Sequence, residues 1–173
     1  MGVGKSTLGK LVARDLDLPF LDFDHIIEDA MEMSISNIFA RYGEAFFRKL
    51  EHDHLRDLIA ISNSFVVGTG GGLPCNSENM ATMNQAGLTV YLSASPEDIA
   101  SRLSHSTASR PLIAGKNMQE LEEYVAVLLS KRRIHYEQSH IRVELDLGRS
   151  KQFNAGQIVQ AVRANIDLLD SRV

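Results

Sequence analysis

Residues 1–7, Met1-Gly2-Val3-Gly4-Lys5-Ser6-Thr7, end in Gly-Lys-Ser and run straight into Leu8, Leu11, Val12 and Leu16, which are spaced as one face of a helix. A glycine-rich turn that closes in G-K-[ST] at a helix start is the second half of the phosphate-binding pattern G-x-x-x-x-G-K-[ST]. The small residues Gly2, Val3 and Gly4 let backbone N–H groups close around phosphate oxygens at the positive end of the helix. Lys5 is then placed to reach the β- and γ-phosphates of ATP, and the Ser6 hydroxyl to ligate Mg²⁺, with Thr7 beside it. A chance Gly-Lys-Ser opening a helix is the plain alternative. The first glycine of the pattern would fall two residues before Met1, and the strand that feeds the loop would precede it. The expectation is therefore that Met1 is an internal methionine of a reading frame that continues upstream.

Outward from this loop, strands alternate with helices. Helix is expected over residues 5–17, 24–31 and 34–41, from Gly43 through Leu58 and Ile59, over 77–86, from Ser95-Pro96 onward, over 119–138, and from Asn154. Phe20-Leu21, Phe65-Val66-Val67, Leu88–Leu92 and residues 141–145 read as strands. The alternation predicts an α/β fold with a parallel sheet, whose ligands gather beyond the carboxyl ends of the strands. Residues 104–118 are polar and broken by Gly and Pro, and read as a long loop. No repeat or linker divides residues 1–173, so a single domain is expected.

Composition narrows the class of function. The chain has 173 residues, 44% of them apolar and 23% charged, enough for a real core. Its net charge of −4 lacks the basic excess of a nucleic-acid or membrane-surface binder. One cysteine, Cys75, forms no internal disulfide, and no apolar run approaches the ~18 residues of a spanning helix. A cytoplasmic protein acting on small molecules is expected. The six histidines show no zinc spacing, and structural roles are expected for them and for Cys75.

Two strand ends carry the remaining chemistry. Asp22-Phe23-Asp24 follows one strand, and strand alternation would turn both carboxylates towards the phosphate loop. One could serve Mg²⁺ and the other a substrate hydroxyl, while Asp24 could equally cap a helix. Gly70-Gly71-Gly72 follows another strand. Arg48, Arg110 and Arg132 could grip an anionic ligand bidentately, although Arg48 and Arg132 also suit solvated helix faces.

Taken together these segments resemble the shikimate kinases, small phosphotransferases related to nucleoside-monophosphate kinases, over nearly the whole chain from Met1 to about Tyr136. Residues 1–7 look like the end of the family's G-[YF]-M-G-x-G-K-[ST] loop, and Leu18–Asp24 with Glu28 like L-x-F-x-D-x-D-x-x-I-E. Phe47-Arg48-Lys49-Leu50-Glu51 looks like F-R-x-x-E, Gly70–Gly72 like the substrate-binding glycines, Arg110-Pro111-Leu112 like the lid R-P-L, and Arg132 with Tyr136 like R-x-x-x-Y. The resemblance implies a three-layer sandwich on a five-stranded parallel sheet, its central strand lying ahead of the phosphate loop, with a lid near 104–118.

It also implies transfer of the ATP γ-phosphate to the 3-hydroxyl of shikimate by a monomer. Asp24 would hold that hydroxyl, Arg48 and Arg132 the carboxylate, and Gly70, Gly71 and Gly72 would give backbone room. Asp22 and Ser6 would order Mg²⁺, Lys5 and Arg110 would meet the phosphates, and Glu51 would steady Arg48. Arg102 would stack on adenine, with Arg149 as a further adenine-side candidate. Gly68 departs from the family, which often carries serine there near the Mg²⁺ shell. A gluconate-type kinase, or a non-catalytic nucleotide-binding domain lacking the loop's first half, are the competing readings.

Overall fold

A computed structural model describes residues 2–76, 78–105 and 115–166. The elements are α1 (Lys5–Asp15), β1 (Phe20–Asp22), α2 (Phe23–Met31), α3 (Ile35–Ile59), β2 (Val66–Gly68), a 3-10 turn (Leu73–Cys75), α4 (Asn79–Ala86), β3 (Val90–Ser93), α5 (Pro96–Ser104), α6 (Met118–Tyr136), β4 (Ile141–Glu144) and α7 (Lys151–Asn165). The expected helices and strands are all present except where residues 106–114, most of the expected lid, lie outside the described residues.

Local chemistry sets most of the boundaries. Ser34, Ser95 and Ser150 each accept a first-turn N–H, and Asn117 forms a reciprocal capping box with Glu120. The expected start of α7 at Asn154 is thus corrected to Ser150. Asn154 is buried a turn inside the helix, where its amide bonds the backbone of Asp146 in both directions. Gly43 breaks α3 with φ 80° and ψ 174°, a conformation open to glycine, so the two helices expected either side of it meet at a kink.

The strands form two parallel pairs. β1 pairs with β2 in the register Phe20↔Val66 to Asp22↔Gly68, and β3 pairs with β4 in the register Val90↔Ile141 to Ser93↔Glu144. Among the described residues no ladder joins β2 to β3, and none of them forms the central strand that the resemblance places there.

Apolar side chains gather in two clusters. One joins Val3, Leu8 and Val12 to Ile99, Leu103 and Ile158, while the other joins Phe23 and Ile27 to Ile38, Phe47, Leu55 and Leu73. The first lies behind the phosphate loop and the second beneath the glycine run. Among the described residues no helix is long and apolar enough to cross a membrane.

Candidate active site

The phosphate loop takes a shape that its glycines dictate. Gly2 and Gly4 hold φ of 82° and 85°, in the left-handed region that side chains disfavour. Gly4 caps α1 without a side-chain bond, and the first turn carries no acidic residue. The helix thus offers its leading N–H groups and positive end to an anion. Arg102, from α5, lies across the loop: its Nη1 donates to the Val3 carbonyl at 3.3 Å, and a Cβ on Gly4 would stand 2.8 Å from Nη2. Its guanidinium therefore lies over the loop backbone. Beside it opens a pocket of about 340 Å³ lined by Asp98, Ser101, Arg102, Leu147 and Gly148, of which only Arg102 stood out in the sequence.

Lys5 and the exposed Ser6 and Thr7 open α1. The Ser6 hydroxyl donates to Asp22 Oδ2 at 2.6 Å, which ties the helix start to the end of β1. The two carboxylates of Asp22-Phe23-Asp24 do not share one face, as they were expected to on a strand, because α2 begins at Phe23. Asp22 is its cap, Oδ1 accepting the Asp24 N–H at 3.2 Å, so the capping role weighed for Asp24 belongs to Asp22. Asp22 consequently faces the phosphate loop and Asp24 the glycine run. Burial, and then the Asp22 charge, push the Asp24 carboxyl above its ordinary value, with the Lys5 cation opposing.

Three side chains from three helices meet the glycine run. A Cβ on Gly70 would stand 2.7 Å from Asp24 Oδ1, and one on Gly72 would stand 2.5 Å from Arg48 Nη1. The Tyr136 hydroxyl, from α6, donates to the Gly71 carbonyl at 2.6 Å. Glycine is needed here for close approach, since any side chain at 70 or 72 would displace a charged group.

Arg48 reaches this turn between two carboxylates, Glu51 at 2.6 Å and Glu44 at 2.9 Å. Glu51 is only 2% exposed, and burial raises its pKa although Arg48 works against the rise. Arg48 is thus anchored and aimed, and the reading of it as a solvated face is corrected. Arg132 lies near enough for its charge to act on Glu51, Cys75 and Tyr136. Two cations therefore converge on the glycine run from α3 and α6.

Beneath it, the His52 ring meets the wholly buried Asn79 at 2.9 Å, and the Asn79 amide donates to the Leu73 carbonyl at 3.1 Å. The His52–Asn79 contact left no trace in sequence spacing, and the R-x-x-x-Y match marked Tyr136 without its partner Gly71, because both bonds join residues far apart in the chain. Burial raises the Cys75 thiol, as suits a structural role. Arg110 lies outside the described residues.

As a place for Mg²⁺, Ser6 and Asp22 offer a hydroxyl and a carboxylate, hard oxygen donors of the kind Mg²⁺ takes while keeping waters and phosphate oxygens. Among the described residues no cluster of three or more His, Cys, Asp or Glu side chains could hold a metal alone. The donors fit a cation shared with a nucleotide.

A glycine-bent phosphate loop on α1, linked through Ser6 and Asp22 to a second pocket of one carboxylate and two arginines, defines a phosphate-loop phosphotransferase for a small anionic acceptor. The family model for shikimate kinase matches residues 1–163. The chain is 40% identical to a shikimate kinase of Bacteroides fragilis over 140 residues, 81% of this chain and 78% of that one. With one of Flavobacterium johnsoniae it is 37% identical over 147 residues, 84% and 86% of the two chains. The crystal structure of shikimate kinase from Bacteroides thetaiotaomicron superposes with TM-score 0.85 at 33% identity, covering 96% of this chain and 94% of that one. The enzyme from Acinetobacter baumannii, solved in complex with shikimate, gives TM-score 0.81 at 31% identity, covering 95% and 89%. The chain belongs to the shikimate kinase family.

Proposed function

We infer that this protein, acting as one domain, transfers the γ-phosphate of ATP to the 3-hydroxyl of shikimate, yielding ADP and shikimate 3-phosphate. The observation that carries this reading is the placement of Asp24 and Arg48 against opposite ends of Gly70–Gly72, with the Ser6–Asp22 bond tying the phosphate loop to the residue two before Asp24. That spacing suits an acceptor with a hydroxyl at one end and a carboxylate at the other. Asp24 accepts the hydroxyl's hydrogen bond and takes its proton as oxygen bonds to the γ-phosphorus and the bond to ADP breaks. Its raised pKa makes it a stronger base than an ordinary carboxylate.

Arg48 and Arg132 hold the acceptor's carboxylate, and Gly70, Gly71 and Gly72 let it approach the backbone. Gly2, Val3, Gly4, Lys5, Ser6 and Thr7 hold the phosphates, with Arg102 and Arg110 on the nucleotide side. Mg²⁺, when bound, neutralises phosphate charge; Ser6 and Asp22 are the residues that would hold it. The same reading has the enzyme work as a cytoplasmic monomer, with neither nucleic acid nor membrane as partner.

The test is ADP release with Mg²⁺ and ATP, shikimate against gluconate. Release with shikimate alone supports the assignment, whereas equal release with gluconate, or none with shikimate, overturns it.

A further inference from the structure

The Gly70–Gly72 turn leaves one of its own peptides to outside anchors. Leu73 N–H bonds the Gly70 carbonyl and Cys75 N–H the Gly72 carbonyl, while the Gly71 carbonyl is taken by side chains. Tyr136 Oη donates to it at 2.6 Å, and the Cys75 thiol approaches it at 3.7 Å. A trans peptide carries its carbonyl and the following N–H on opposite edges of one plane. Fixing the Gly71 carbonyl therefore fixes the direction of the Gly72 N–H, on the residue that lies against Arg48.

Arg132 lies one helical turn before Tyr136 on α6, so both project from the same face. Tyr136 is itself held: its ring meets that of Tyr91 from β3 at a centroid distance of 5.1 Å. One side chain thus ties the helix that carries Arg132 to the turn that receives Arg48.

We propose that Tyr136 is a positioning residue for the acceptor: through the Gly71 carbonyl it sets the Gly71–Gly72 peptide and keeps Arg48 and Arg132 in register around a bound carboxylate. This rests on the shikimate-phosphorylating reading above, and the hydroxyl, not the ring, carries the role. Tyr136→Phe keeps the contact with Tyr91 and loses the hydroxyl's bond to Gly71 together with its interaction with Arg132. Tyr136→Leu loses both.

The experiment is steady-state kinetics of wild type and both variants, with shikimate and ATP varied separately and thermal unfolding recorded alongside. The expected result for Tyr136→Phe is a shikimate KM about five- to tenfold higher, as for a lost hydroxyl, with the ATP KM unchanged and the melting temperature close to wild type. Tyr136→Leu adds a loss of stability. A silent Tyr136→Phe beside a damaged Tyr136→Leu makes Tyr136 a packing residue and overturns the proposal. So does a Tyr136→Phe that raises both KM values alike. Wild type without shikimate-dependent turnover overturns the functional reading and this proposal together; wild-type turnover with an unchanged shikimate KM in Tyr136→Phe overturns this one alone.

Discussion

Ionising Asp24 works against the fold and for the chemistry. Burial raises its folded-state pKa above the ordinary value, so the folded protein holds the proton more tightly than the unfolded chain. Stability therefore falls as pH rises between the ordinary and the raised value, and stays lower above it. Asp24→Asn is expected to melt at a higher temperature than wild type at pH 7, the difference closing at acid pH. Its turnover is expected to fall about 10²- to 10⁴-fold; an Asn variant with wild-type kcat sinks the role as base.

Arg48 shows the opposite balance. Arg48→Ala is expected to raise the shikimate KM steeply at an unchanged ATP KM, and also to strand the buried Glu51, costing about 3–5 kcal/mol. Because Arg48 opposes the rise in the Glu51 pKa, its removal drives that pKa further up. The variant's stability deficit should then be largest at high pH and shrink as pH falls and Glu51 takes a proton. Arg48→Met with Glu51→Gln should recover stability in thermal melts without recovering shikimate affinity. A deficit that does not depend on pH rules out this account.

The elements were legible where a cap or a breaker marks the chain. Ser95 ahead of Pro96, Gly43, and the Gly-Lys-Ser junction each announce a helix end in local chemistry. Asp22 and Ser150 were misjudged, each beside a residue, Asp24 or Asn154, that could cap equally well. The choice between such neighbours is made by where the strand before them stops, which is tertiary information. Of the close approaches, only the need for room at Gly70–Gly72 was legible. The Phe20 ring of β1 lies between Gly9 of α1 and Gly68 of β2: a Cβ on Gly9 would collide with Phe20 Cε2, and one on Gly68 would stand 3.0 Å from Cζ. A side chain at position 68 would need that space, so this glycine is explained by packing.

Gly9→Ala is accordingly expected to destabilise by about 1–3 kcal/mol in denaturant titration, although alanine is the better helix former. Adding Phe20→Leu should return part of that loss. A Gly9→Ala variant more stable than wild type would mean that the Phe20 ring yields freely.

At the scale of the whole molecule, the site lies where two cores meet. Leu8 is buried in the cluster behind the phosphate loop and Leu55 in the one beneath the glycine run. Truncating either to Ala should cost about 2–5 kcal/mol. The two share no cluster, so their costs should add to within about 0.5 kcal/mol in the double variant, checked by urea unfolding. Marked non-additivity would show the two clusters to be one. Periodicity identified the apolar face of α1 but misplaced that of α3, where Phe46 and Ile59, expected with Leu50 and Leu58 on the buried face, are exposed and Phe47 and Leu55 are buried instead. Nor could it divide the clusters, since it says which side of a helix is buried and not against what. That division bears on how the protein breathes. Amide hydrogen exchange should resolve two cooperative units, one slowed by nucleotide and the other by acceptor, and the ternary complex should protect the seam between them beyond what either ligand achieves alone.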